Sequence, residues 1–221
     1  MYVLKFLFIC RYRYVMSFLV SLFSGYIIAA LGSITPSFLN LTIVKTSLKN
    51  GKRSAIYLVV GFITVLFFQA NIGAYLANVL MKNSEYLTTI QKIATGIVLL
   101  LSVNFFRLHF KSSKKVKKKR IPKSKAYLHG VGMALLNMFA IPFYFTIISF
   151  LISMDYFSYS IQNSLIFSVG SSLGSFTTYV LYAVIASNVK DKLTYVATKM
   201  DLILGFLTGV VGLINIITLL R

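Results

Sequence analysis

Charged residues are spaced along this chain in a way that leaves long apolar gaps. Nearly uncharged windows run roughly from Phe18 to Val44, Ser54 to Met81, Tyr86 to Phe106, Ala126 to Met154, Tyr156 to Val189 and Leu202 to Leu220. A helix needs about 20 apolar residues to cross the hydrocarbon of a bilayer, and a longer window tilts, extends into the interface or contains a break. The pattern therefore predicts an all-α, polytopic membrane protein of six transmembrane helices. Lys92, inside the third window, can snorkel to the interface. Pro36 and Pro142 lie in the first and fourth windows, where neighbouring helices can satisfy the carbonyl that a proline frees.

The segments between windows are basic. A short basic turn, Lys45 to Arg53, is expected between the first two helices, and ten Lys or Arg fall between Arg107 and Lys125 after the third. The chain carries 23 Lys and Arg against Glu85, Asp155, Asp191 and Asp201, for a net charge of +19. In a soluble protein that balance suggests nucleic acid. With 57% hydrophobic residues and the cations confined between apolar runs, it reads instead as a cytoplasmic charge bias with attraction to anionic lipid, and nucleic acid is excluded as a partner. An outward N-terminus puts 17 basic residues on inner loops and leaves six outside, so both termini are expected outside. Met16 opens what would by itself be a conventional first membrane helix, so residues 1–15 are expected to be an N-terminal extension. The basic segment 111–125 reads as a topology signal and lipid anchor, with a protein partner left open.

Landmarks recur at nearly one offset. Gly61 and Gly170 are 109 residues apart, as are Gly96 and Gly205, and Pro36 and Pro142 are 106 apart. This predicts two three-helix repeats, 16–110 and 126–221. Because each holds an odd number of spans the second is inverted relative to the first, an arrangement that places a transport site where the repeats meet. Coincidence among 13 glycines is the competing explanation.

Polar groups inside the windows are the candidates for function. Asn40 follows Pro36 by one helical turn and Asn137 precedes Pro142 by just over one, so each half is expected to pair a helix break at its proline with a carboxamide able to donate and accept. Together they could contact a zwitterionic solute, or they could serve the backbone around each proline. Gln69, Asn71, Asn104, Ser171, Ser172, Ser175 and Thr177 could line a polar path, or hold helices together by hydrogen bonds. Gly170 and Gly174, like Gly205 and Gly209, have the small-xxx-small spacing that lets helix backbones approach. The residues assigned to the substrate path are Pro36, Asn40, Gly61, Gln69, Asn137, Pro142, Gly170 and Ser171.

Other chemistries are poorly supplied. Intramembrane catalysis needs a nucleophile with a base, or an acid with a base, and all four acids lie at or beyond window ends. The chain is therefore not expected to be an enzyme. His109 and His129 flank the basic segment without a carboxylate or thiol cluster, and the single cysteine, Cys10, reads as inert, so no metal and no cofactor is expected.

In its order of motifs the chain resembles the lysine exporter family, the LysE/RhtB-type amino-acid exporters. Pro36 followed by an apolar run and Gly51-Lys52-Arg53 is similar to the family's opening, with Thr35 in place of its glycine. Gly61 matches a second-helix glycine, although the usual following glycine and acid are replaced near Val65 and Leu66. Of the family's Asn-Pro-Lys signature only Asn137 carries over. Gly170, Gly174, Gly205 and Gly212 are similar to its closing pattern. The resemblance implies a multi-pass protein of the bacterial inner membrane that exports amino acids or related small metabolites by alternating access, driven by the membrane potential or a proton gradient. A homo-oligomer is compatible with it. The missing lysine and acid leave a second reading open, a non-transporting scaffold or accessory subunit built on a degenerate transporter fold.

Overall fold

The computed structural model describes residues 2–35, 37–82, 125–137, 139–186 and 188, with backbone alone for 2–15 and isolated positions between 96 and 107 and between 206 and 217. Among these residues the chain is entirely helical in its regular structure. The helices are α1 (Tyr2–Ile34), α2 (Phe38–Asn50), α3 (Lys52–Lys82), α4 (Ala126–Leu135), α5 (Ala140–Ser153) and α6 (Ile161–Val184). Three stretches, Met16–Ile34, Lys52–Lys82 and Ile161–Val184, are long and apolar enough to cross a membrane, and the bent pair α4–α5 makes a fourth if counted as one span. The third and sixth expected helices lie outside the described residues except for isolated helical positions. There, Leu100, Val103, Phe206, Leu213 and Ile217 face outward. An outward apolar face also runs along α1 through Phe23, Ile27 and Leu31. Such a face is costly in water and fitting in lipid.

Two expected helices are broken. The first window, Phe18 to Val44, is divided between α1 and α2, and the basic turn expected at Lys45 to Arg53 is mostly the body of α2, which ends at Gly51 with φ 87°. A proline at 36 has no N–H to give and disfavours helical backbone in the residue before it. Pro36 itself lies outside the described residues. Beyond it Ser37, in extended conformation, caps α2 by accepting from the Asn40 N–H at 3.4 Å. α2 then continues past Lys45 and Lys49 because Ser47, Leu41 and Val44 pack toward α6, with the Ser47 hydroxyl donating to the Ala183 carbonyl at 2.6 Å.

The fourth window, Ala126 to Met154, is likewise two helices, α4 and α5, bent by 61°. The break expected at Pro142 lies between Leu135 and Ala140, ahead of Pro142, which does not cause it. It is the third residue of α5, within the first turn, where a helix needs no N–H from it. α5 closes when Asp155 takes φ 59° and the Tyr156 N–H returns to the Leu151 carbonyl at 2.9 Å, a left-handed helix stop. The fifth helix, expected from Tyr156, starts at Ile161 because Ser160 caps it through the Asn163 N–H at 3.0 Å.

Contacts between helices fix their directions. Gly170 lies against Leu22 and Tyr26, Gly174 against Tyr26 and Ala30, and the Tyr182 hydroxyl donates to the Ile34 carbonyl at 2.8 Å. Contacts thus advance together, and α1 and α6 run parallel. Along α3, Gly61 meets Tyr127 and Val131, Gln69 reaches Ala134, and Gly73 meets Ile141 and Tyr144, so α3 runs parallel to α4 and on into α5. Between α3 and α6 the order reverses. Phe62 meets Tyr179 edge to face at 5.5 Å while Asn71 meets Ser164. It follows that α1 and α4 are antiparallel, as are α3 and α6. Each half of the chain therefore presents a broken helix followed by an unbroken one, and the broken helix of each half packs on the unbroken helix of the other.

Both cross-half contacts are made by facing glycines. A Cβ on Gly61 would collide with the Tyr127 carbonyl and one on Gly130 with the Leu58 carbonyl, while Gly25 and Gly170 oppose the carbonyls of Phe167 and Leu22 in the same way. Backbones this close gain dispersion along their length, which in lipid substitutes for a hydrophobic driving force. The expectation that Gly61 and Gly170 serve a substrate path thus meets a structure in which both pack helices. Gly170→Val should lower stability by about 1–3 kcal/mol or more through overpacking. Gly132→Ala, with nothing within 4 Å of the added methyl, should leave it unchanged or slightly raised. Thermal unfolding of the detergent-solubilised protein compares the two.

Candidate functional site

A helix that stops inside the bundle leaves carbonyls without N–H partners, and at each break a carboxamide takes them up. At the first, the Asn40 amide nitrogen donates to the carbonyls of Ser33 (3.0 Å) and Thr35 (3.2 Å), and its oxygen accepts from the Ser37 hydroxyl at 2.6 Å. Asn40 is fully buried. Its expected contact with a solute thus competes with a backbone role that engages both ends of its carboxamide. At the second break the donor is Gln69, from α3, to the carbonyls of Ala134 (3.0 Å) and Asn137 (3.5 Å). Asn137, half-buried, enters this arrangement through its backbone, its own N–H donating to Ala134 at 3.0 Å. Pro142 is on an exposed face, where its carbonyl accepts from Thr146.

Between the breaks lies a buried polar cluster. On α6, Ser164, Ser168, Ser171, Ser175 and Thr178 recur at intervals of four and three residues, which puts all five on one helical face, and all five are buried. Successive members meet different helices. Ser164 donates to Asn71 of α3 at 3.0 Å, Ser175 accepts from Ser33 of α1 at 2.9 Å, and Thr178 donates to the Ala30 carbonyl at 3.2 Å. The Tyr144 phenol of α5 lies beside the hydroxyls of Ser171 and Ser175, without the alignment for a hydrogen bond to Ser171. Tyr179 lies beside Ser33. Aromatic rings close the surroundings, Phe167 standing edge to face with both Tyr144 (6.1 Å) and Phe157 (5.8 Å).

The hydroxyls of Ser168 and Ser171 in this cluster have no hydrogen-bond partner among the described residues, and neither do the neighbouring Ser172 hydroxyl and, at the second break, the Gln69 oxygen. A buried polar atom left unpaired costs about 1–3 kcal/mol, so such a group concentrated between helices calls for an explanation. Thr42, Thr64 and Thr177 satisfy their hydroxyls by donating four residues back along their own helices, a route Ser168 and Ser171 do not take. At one end of the face, over the Asn71–Ser164 pair, an open groove of about 270 Å³ is lined also by Ile72, Tyr75, Tyr159 and Ile161.

Of the residues expected to form a path, Ser171 falls at this cluster, Gln69 sits at the second break, Gly170 lies one residue from the cluster but faces α1, and Gly61 packs on α4. Ser172 is half-buried and Thr177 points outward, while Asn104 and the basic segment 111–125 lie outside the described residues. Ser33, Ser164, Ser168, Thr178, Tyr144 and Tyr179 were missed. The repeating four-three spacing of hydroxyls on the fifth expected helix was the available signal for three of them. Nothing in the sequence marked Ser33 or the tyrosines, which converge only through packing. Among the described residues there is no group of His, Cys, Asp or Glu that could hold a metal ion.

Asn40→Ala should cost about 1–3 kcal/mol by stranding the Ser33 and Thr35 carbonyls, read as a lower unfolding temperature in detergent. Asn40→Asp should also destabilise, since a carboxylate cannot donate to either.

With the geometry established, comparison with known proteins gives one positive result. The family profile described as LysE type translocator matches residues 30–218, a span that takes in both helix breaks and the polar cluster. No curated protein and no solved structure matches the chain.

Proposed function

The chain belongs to the LysE type translocator family, and from that membership we propose that it exports amino acids or related small metabolites across the bacterial cytoplasmic membrane by alternating access. The observation that carries this reading is the buried polar cluster, with its unpartnered hydroxyls, at the place where the two halves of the chain cross. A translocator needs groups that replace a solute's hydration inside the membrane, and hydroxyls and a carboxamide do so for small polar molecules.

Alternating access also calls for two units able to rock about the site. We assign these to inverted repeats, 16–110 and 126–221, joined by the cytoplasmic basic segment 111–125. The antiparallel course of α1 against α4 and of α3 against α6 supports that assignment, as does the shared order of a broken helix followed by an unbroken one. With the basic segments inside on anionic lipid and both termini outside, the groove over Asn71 and Ser164 opens outward, and the cluster beyond it is closed from that side by the Asn71–Ser164 hydrogen bond. The substrate path then runs past Gln69, Ser171 and Tyr144. Asn40 and Gln69 hold the breaks that frame it, with Asn137 at the second.

The test compares metabolites inside and outside cells carrying the intact chain, Tyr144→Phe or an empty vector, with equal membrane insertion verified. Tyr144→Phe removes one hydroxyl from the cluster and keeps the ring packed on Phe167, so export should fall at least tenfold without loss of protein. Equal metabolite profiles for the intact chain and the empty vector would move the assignment to a non-transporting scaffold. For orientation, on a Cys10→Ser background, a cysteine replacing Ser158 should react with an impermeant thiol reagent added outside. One replacing Lys118 should react only after the membrane is opened.

A further inference from the structure

We propose that the hydroxyl face of α6 selects a solute of zero net charge and that its passage moves no net charge across the membrane. The inference rests on the transport reading above and narrows it to a class of cargo. Three observations carry it.

The first is continuity. From the outer groove inward, Ser164, Ser168, Ser171, Ser175 and Thr178 place a hydroxyl at every turn of one buried face. They meet α3, α5 and α1 in succession, so a solute on this face is always in reach of more than one helix. The second is availability. Ser168 and Ser171 are fully buried and their hydroxyls unpartnered among the described residues, which leaves them to donate to and accept from a ligand.

The third is the kind of chemistry. A hydroxyl both donates and accepts, so a row of them serves an ammonium or a carboxylate group equally well and neutralises neither. Ser33 and Tyr144, which stand beside the row among the described residues, are also neutral. Every acid in the chain lies at or beyond the ends of the apolar windows, so a cation on this face meets no countercharge from them. An ion of either sign would give up hydration that a few hydroxyls do not return. A zwitterion brings its own countercharge, and its two ends find a donor and an acceptor within one turn of helix.

The experiment uses the purified full chain in lipid vesicles, with radiolabelled L-serine, L-lysine or L-glutamate as probes at one concentration. A potassium gradient with valinomycin sets about 100 mV of either polarity, which would shift the distribution of a unit charge by about fifty-fold. L-serine should equilibrate, with an inside-to-outside ratio that stays within twofold of one at both polarities, and the charged probes should enter at least tenfold more slowly. Ser168→Ala combined with Ser171→Ala should slow L-serine at least tenfold. Alanine raises helix propensity at both positions, and an unchanged gel-filtration profile verifies folding. Thr146→Ala, on an exposed face of α5, should match the parent.

Entry of lysine or glutamate as fast as serine, or a serine ratio that follows the potential, overturns the charge selection while leaving transport standing. A double variant with parental rates overturns the assignment to this face. If none of the three probes enters with well-folded protein, the transport reading fails and takes this inference with it.

Discussion

A carbonyl released by a helix break inside lipid has no water to turn to, so a donor must come from the protein. This requirement governs the arrangement of the whole bundle. Asn40 supplies the donor from the helix that follows the first break, Gln69 supplies it across to the second from α3, and Tyr182 adds a bond from α6 to Ile34. Two of these donors lie on the unbroken helix of the opposite half. Breaks and helix pairing are therefore one feature, since α1 and α4 can stop where they do only if α6 and α3 lie alongside them.

The facing glycines make those partners available. Gly25 with Gly170, and Gly61 with Gly130, bring helix backbones together along both crossings, which holds Thr178 within reach of the Ala30 carbonyl and Gln69 within reach of Ala134. Close approach also buries the hydroxyl face of α6 between helices. What reads along the chain as a serine-rich helix thereby becomes a buried polar face with unpaired hydroxyls among the described residues. Packing on one side of α6 and availability on the other follow from the same register, because Gly170 and Ser171 are neighbours on a helix that turns 100° per residue.

The polar face is closed to different degrees at its two ends. At one, a single hydrogen bond, Ser164 to Asn71, stands beneath a groove flanked by Tyr75 and Tyr159. At the other, Ser33 to Ser175, Thr178 to Ala30 and Tyr182 to Ile34 bind the first break to α6. The two ends differ in strength, and the one at the groove, with fewer contacts to lose, is the easier to part.

The membrane setting, the all-helical fold and the resemblance to the family were legible in the sequence, because they depend on composition and on the length of apolar runs, which need no knowledge of neighbours. The tolerance of Pro142 within its helix was legible too, though not its position one turn past a break that it does not cause. A break was legible at each proline, but hydropathy does not place it, and the second falls between Leu135 and Ala140, ahead of Pro142. Gly61 and Gly170 were noticed for their spacing, but which backbones they face is set by the crossing of α3 with α4 and of α1 with α6. Asn40 was singled out from the sequence while Ser33, Tyr144 and Tyr179 were not, since their polar atoms come together from three different helices. Hydropathy is a property of one residue at a time and fixed where the chain lies. The polar interior is a property of register between helices, and only the tertiary structure decides it.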